Sequence, residues 1–488
     1  MGGQCLYNAK KDAKISSINF ELEVFGFMER PNAWKAYDEN ALKELEAVSA
    51  RYRAFLDNGK TERECVKQAV AMARAHGYAD LADAVKEGRR LNPGDKLYSV
   101  CMDKSIMLFH LGQEPLENGI NIVGAHIDSP RIDVKQNPFY EDTNLAYADT
   151  HYYGGIKKYQ WVARALALHG VVAKKDGTLV EIVIGEDEND PVLAISDLLI
   201  HLAQEQMGKK ASEVIPGEGL DILMGGRPLE GEEKEPVKAL MLKILKERYG
   251  IEEEDMLSAE IECVPAGRAQ DLGLDRSMIL GYGHDDRVCA YAELEAMWQL
   301  PAIPAYTCCC LLADKEEIGS VGATGMRAHY FENAMAELVN LTCDSYSELV
   351  LRRALKNSRM LSCDVSAGYD PLYAGVFEKK NAAILGNGVA FNKFTGSRGK
   401  SGSNDANAEF LGRLRRIMDD NKIAWQTAEL GKVDVGGGGT IAYICALYGM
   451  EVIDSGVPVL SMHAPEEIIN KADLYEAVKA YAAFMKEA

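Results

Sequence analysis

Eight residues of this chain have the types and spacing to do chemistry together: His126 and Asp128, Asp285 and Asp286, Glu316 and Glu317, Asp364, and His463. Most of them close short apolar runs. The runs read NIVGAHID (121–128), AYTCCCLLADKEE (305–317), MLSCD (360–364) and VPVLSMH (457–463). Asp285 and Asp286 stand in GHDDRVCAY, ahead of a helical pattern. Two imidazoles with several carboxylates make a mixed nitrogen and oxygen donor set. Such a set suits zinc, manganese or cobalt and disfavours a soft thiolate site. A carboxylate bridging two ions is the usual way to build a two-metal hydrolase. Each signal alone has a plainer reading. A lone His-x-Asp is usually a satisfied polar pair, Lys-Glu-Glu a solvated charge run, Asp-Asp a helix cap, and a single histidine a core residue. Five such signals at the ends of apolar runs in one chain are much harder to explain that way. Two adjacent glutamates after a buried strand also point in different directions. One can bind metal while the other faces a water.

The elements that must position these residues follow from the pattern around them. The apolar runs have the length and the β-branched or small content of buried strands. Helical patterns lie between them, for example Asp405 to Met418 and Lys471 to Met485. Asn32 to Asp57 carries apolar residues near helical spacing. Thr61 to His76 reads as a second helix, with Thr61 as N-cap, Glu64 as capping-box partner and Gly77 as stop. Strands alternating with helices predict an α/β fold. In such folds ligands bind beyond the carboxyl ends of strands, where the polar clusters stand.

The segment 139–257 has another texture. It holds the alternating run LVEIVIGED, a helix-like AISDLLIHLAQEQM and an acidic loop. No polar cluster of the kind above lies inside it. It reads as a domain inserted between 1–138 and 258–488.

Composition narrows the function classes. The 488 residues carry 54 Lys and Arg against 74 Asp and Glu, a net charge of −20. That disfavours nucleic acid or an anionic membrane as a main partner, because both want a basic face. With 44 glycines and 15 prolines, collagen-like and low-complexity readings fail. The eleven cysteines include no C-x-x-C, and three sit together in an apolar run, which predicts reduced, buried thiols. The N-terminal MGGQCLYNAKKDAK lacks the apolar core of a signal peptide. It departs from a myristoylation start at Leu6. No apolar run approaches the ~18 residues of a membrane span. A soluble, cytoplasmic protein is expected.

GAHIDSP, GHDDRVCA, ADKEEIGS, SCDVSAG and SMHAPEE, in that order, resemble the aspartyl aminopeptidase and vacuolar aminopeptidase I family of dinuclear zinc metallopeptidases. YGGIKKYQW (153–161), ISDLLIHL (195–202), SNDANAEF (403–410) and GGGGTIA (436–442) also fall in family order. The resemblance covers most of the chain. It implies a zinc-peptidase fold, a central mixed sheet with helices on both faces, and an inserted β-rich dimerisation domain. It implies two divalent ions, zinc first and manganese or cobalt as alternatives. His126 and Asp364 would hold one, Glu317 and His463 the other, and Asp285 would bridge. Asp128 would orient His126. Glu316 would be the general base in removing the N-terminal residue of a peptide. His201 matches a family histidine that reaches a neighbouring subunit's active site, and the family implies a homo-oligomer of twelve subunits. From the residues alone, His201 is a helix histidine beside Ile200 and Leu202.

The chain departs from the pattern of the acid-preferring relatives. There the metal-binding Asp is followed by Met-Ala-His. Here Asp364 is followed by Val365, Ser366 and Ala367. A lysine of those relatives falls at Phe391 or Lys393, depending on register. A neutral or broad first-residue preference is therefore expected. Two rivals remain: a dinuclear carboxypeptidase or deacylase, and a non-catalytic assembly protein. The second predicts a lost ligand or base, and all are present.

Overall fold

The computed structural model describes residues 30–488, and three sheets lie among them. The expectations for the N-terminal fourteen residues and Cys5 lie outside the described residues.

The largest sheet has nine strands. In spatial order they are Ala79–Asp80, Lys96–Cys101, Ser105–His110, Cys308–Ala313, Asn121–His126, Arg359–Cys363, Glu451–Gly456, Val389–Asn392 and Trp425–Thr427. The sheet is mixed. Its centre, from Cys308–Ala313 through Asn121–His126 and Arg359–Cys363 to Glu451–Gly456, is parallel. Four strands therefore end side by side, pointing the same way, and their polar residues collect at one edge.

The centre is buried on both faces, which is why its strands read as continuous apolar runs. Cys308, Cys310 and Leu312 face one core, and Cys309 and Leu311 the other. The first core is covered by helices Glu39–Asp57, Glu62–Ala75, His284–Met297, Ala408–Asp420 and Lys471–Glu487. The second is covered by Leu81–Glu87, Tyr330–Thr342, Glu348–Asn357 and Ala442–Ala446. Helices thus pack on both faces of an α/β sheet, as the alternating pattern predicts. The capping box of Thr61 and Glu64 is formed, and Gly77 follows the helix at φ +83°. The cysteines among the described residues are free, most of them buried. Among these residues no helix is long and apolar enough to cross a membrane.

The six-stranded sheet takes its strands from Arg131–Asp142, Leu145–Tyr153, Leu166–Ala173, Leu179–Ile184, Ile222–Gly225 and Ala259–Pro265. It closes on its own core around Trp161, Leu166 and Ile261. Its strands reach beyond 139–257 on both sides. Arg131 and Pro265 look ordinary in sequence because their pairing partners lie far along the chain.

Two local readings differ from the structure. AISDLLIHLAQEQM is not one helix: Ala194 bridges to Leu223, Ile200–Leu202 is a 3-10 turn, and only Gln204–Met207 is α-helical. Leu198, Leu199, Ile200 and Leu202 are exposed, so no core holds a helix there. The run VPVLSMH contributes strand Pro458–Leu460 to a five-stranded sheet, not to the central one. The central place beside Arg359–Cys363 goes to Glu451–Gly456.

Candidate metal centre

His126 is the last residue of its strand and lies in register with Ala313 of the neighbouring parallel strand. Glu316 and Glu317 follow that neighbour on a tight turn, with Lys315 at φ +66°. Asp364 follows the strand on the other side, its N–H bonded to the Ser455 carbonyl. Asp285 arrives from outside the sheet, at the start of helix His284–Met297. Ser129 Oγ donates to the Asp285 carbonyl at 2.8 Å, and the buried Arg287 donates to the Ile127 carbonyl at 3.2 Å. His463 comes from the loop after Pro458–Leu460.

These side chains meet around Asp285. Its Oδ1 is 3.2 Å from His126 Nε2, and its Oδ2 is 3.2 Å from His463 Nε2. Asp364 Oδ1 lies 3.9 Å from His126 Nε2, and Glu317 Oε2 lies 3.5 Å from His463 Nε2. The tautomers follow from what the other ring nitrogens touch. His126 Nδ1 faces the Asp128 carbonyl at 2.9 Å and its carboxylate at 3.3 Å. His463 Nδ1 faces the Gly155 carbonyl at 3.1 Å. All of these oxygens accept, so each Nδ1 carries a proton, and in the neutral imidazole each Nε2 offers a lone pair. Both lone pairs then face the oxygens of one carboxylate. Burial would lower both imidazole pKa values, but the carboxylates around them raise them, His463 to about 10, so the space between each Nε2 and Asp285 takes either a proton or, with the rings neutral, a metal cation.

The carboxylates point the same way. Asp285 Oδ1 and Glu317 Oε1 are buried without a hydrogen-bond partner among the described residues. Burial raises the Glu317 and Asp364 carboxyls well above their usual range, and neighbouring acids (Asp285 beside Glu317, Glu316 beside Asp364) add to it. Held ionised together, these buried acids would need a counter-charge. The donor atoms fall into two overlapping groups, each within 4.8 Å: His126, Asp286 and Asp364, and His126, Asp285 and Glu317. The residues present therefore fit divalent metal.

Asp128 stands on the Nδ1 side of His126, away from the cluster of donor atoms. Its Oδ1 accepts the Glu316 N–H at 3.1 Å and its Oδ2 the Glu317 N–H at 3.2 Å. Burial would raise its pKa, but His126 and Tyr153 hold it below the usual range. Burial pushes the Glu316 carboxyl up to about 7.

Glu467 is a functional residue that the sequence reading missed. Its two oxygens accept the N–H groups of Asp285 at 2.9 Å and His463 at 2.7 Å. The spacing of four from His463 was visible, but its partner at 285 was not. His201 is not brought to the cluster. It sits exposed on its 3-10 turn in the six-stranded unit.

A cleft of about 760 Å³ opens over the cluster. It is lined by the acids and His463, and by Val365, Asn392, Thr395, Leu430, Gly437 to Thr440, Asp454 and Met462. Neither register offered for the lysine places a side chain here. Phe391 packs against Trp425, and Lys393 pairs with Asp405 at 3.5 Å on the surface. Asn392, between them, is the one that faces the cleft.

A mixed α/β sheet with this cluster at its carboxyl edge defines a hydrolase of the zinc-peptidase type. The family model described as aminopeptidase I zinc metalloprotease (M18) matches residues 55–485. The chain belongs to the M18 family of zinc aminopeptidases, hydrolases acting on peptides. A relative from Clostridium acetobutylicum, named a probable M18 family aminopeptidase 1, is 57% identical over 94% of this chain and 98% of its own length. The crystal structure of an M18 aminopeptidase from Thermotoga maritima matches with TM-score 0.89 at 45% identity, covering 95% of this chain and all of that one. A structure described as the S. cerevisiae mApe1 dodecamer shares the fold, with TM-score 0.74 at 19% identity over 91% of this chain and 97% of that one.

Proposed function

We propose that the enzyme is a two-metal aminopeptidase that removes the first residue of short peptides with neutral or broad preference. The carrying observation is Asp285, whose two oxygens each face the Nε2 of a different histidine at 3.2 Å. In this reading His126 and Asp364 would hold one ion, Glu317 and His463 would hold the other, and Asp285 would serve both. Zinc is the first choice, as the family description says, with manganese or cobalt as alternatives. When bound, the ions supply Lewis acidity and lower the pKa of a water in the cleft. Glu316 would take a proton from a water in the cleft as its oxygen adds to the carbonyl carbon of the first peptide bond, and return that proton to the leaving amine as the C–N bond breaks. Asp128 keeps the His126 proton on Nδ1 and fixes the turn that carries Glu316 and Glu317.

The cleft lining supports a free-amine substrate over the carboxypeptidase alternative. Among the described residues, no lysine or arginine lines it to hold a substrate carboxylate. Arg398, Lys400 and Lys432 line an adjoining cleft that shares Thr395 and Leu430 with it, where they would meet the peptide downstream of the cut. The same lining disfavours an acidic first residue. Asn392 Oδ1, Thr395 Oγ1 and Asp454 Oδ2 are buried without hydrogen-bond partners among the described residues. An acidic side chain would meet acceptors at Asn392 Oδ1 and Asp454 Oδ2, with only the Thr395 hydroxyl able to donate to it. A panel of unblocked aminoacyl-p-nitroanilides with added zinc, manganese or cobalt tests both points. Leu and Met substrates are expected to be cleaved at least as fast as Asp and Glu, and an N-acetylated control not at all. Asp or Glu cleaved tenfold faster than Leu would overturn the preference. Cleavage of the acetylated control would favour a deacylase.

The six-stranded unit is proposed to build dimers within a homo-oligomer of twelve subunits. Leu199, Ile200 and Leu202 leave an apolar strip exposed around His201. Burying such a strip against a second copy stabilises an assembly and would carry His201 toward a neighbour's cleft, where it could stabilise the oxyanion. His201→Ala is then expected to lower turnover about 10²–10³-fold with metal content and mass by light scattering unchanged. A fully active monomer would refute this.

A further inference from the structure

We propose that the strand end Tyr153–Gly155 is a positioning clamp through which the six-stranded unit sets both halves of the metal cluster. Tyr153 is its hydrogen-bonding side chain. The inference rests on the reading that the cluster holds metal.

Tyr153 is the last residue of strand Leu145–Tyr153, and Gly154 and Gly155 follow it. Tyr153 Oη donates to Asp128 Oδ2 at 2.7 Å. That carboxylate already faces His126 Nδ1 and accepts both glutamate N–H groups, so Tyr153 completes its set of partners. Two residues on, the Gly155 carbonyl accepts the proton of His463 Nδ1. One strand end therefore fixes His126 through Asp128 and His463 directly.

Its own position is over-determined. Arg131, the cross-strand partner of Tyr153, lies with its guanidinium 3.9 Å above the phenol ring. Arg131 is held in turn by Asp133 at 2.8 Å, Glu262 at 3.1 Å and Glu62 at 3.5 Å. The ring is pinned between a buried cation and a buried carboxylate. Of the two glycines, only Gly154 is required by its backbone, and a Cβ on either would sit in ordinary contact with the cluster. A Cβ on Gly154 would lie 3.4 Å from Glu317 Cβ, at a φ of +74° that side chains rarely adopt, and one on Gly155 would lie 3.4 Å from His463 Nδ1.

Tyr153 lines no part of the cleft wall and touches no reacting atom, so it acts through Asp128. Partners of this kind typically change metal affinity or activity 10–100-fold when removed. Tyr153→Phe keeps the ring and the Arg131 stack and removes only the O–H. Zinc stoichiometry and affinity are read by competition with a chromophoric chelator, beside kcat and KM. The expected result is one zinc of two loosened about 10–100-fold, a lower kcat and a KM little changed. In the double variant with Asp128→Asn, the loss is expected not to exceed that of Asp128→Asn alone. Wild-type zinc affinity at both sites in Tyr153→Phe would overturn the proposal, as would strictly additive losses in the double variant. A wild-type protein that binds no zinc would instead remove the metal reading on which this one stands.

Discussion

Glu316→Gln is expected to lower turnover by roughly 10²–10⁴-fold, the usual span for a general acid–base group, while both metals stay bound. Glutamine has the shape of glutamate but cannot accept and return the proton. The backbone bond from Glu316 N–H to Asp128 is unaffected by the change, so the turn that carries Glu317 keeps its place. Glu316 also lines the cleft without being assigned to either ion. Turnover of an aminoacyl-p-nitroanilide, measured beside metal content by emission spectroscopy, checks the prediction. Near-normal activity would show that the proton goes elsewhere.

The same substitution one residue later is expected to act differently. Glu317→Gln should lose bound metal, and activity should fall with it. The Glu317 carboxylate is buried and lies 3.5 Å from His463 Nε2, with one oxygen unpartnered. Removing its charge removes part of what would balance a dication, and an amide nitrogen cannot ligate in its place. Emission spectroscopy should find well under two ions per chain, with activity partly restored by excess zinc. The contrast carries the argument, because the two changes are chemically identical and adjacent. If Glu317→Gln kept both ions, or Glu316→Gln lost one, the division of labour between them would be wrong.

The strand ends were legible because the parallel centre is buried on both faces. An apolar run that stops at a polar residue marks the sheet's carboxyl edge, and this placed His126, Glu316, Glu317 and Asp364. The same rule put His463 after a strand but not in which sheet, since Pro458–Leu460 and Glu451–Gly456 are both short apolar runs. What escaped depends on partners far along the chain. Glu467 is informative only beside Asp285, Tyr153 only beside Asp128, and Asn392 only once the pairing of its strand with Glu451–Gly456 sets which side faces the cleft. The segment around His201 misled for a different reason: helical spacing of apolar residues says nothing when no core lies beneath them. The ligand roles were suggested by family likeness, not by spacing.

The metal cluster draws on residues from 126 to 463, with the whole six-stranded unit threaded between its first and second ligands. Closing it means closing very long loops, which makes it one of the most non-local parts of the molecule. No fragment that stops short of His463 can complete the donor set. With the proposed ligand set, a chain still being synthesised would lack a finished centre until His463 has emerged.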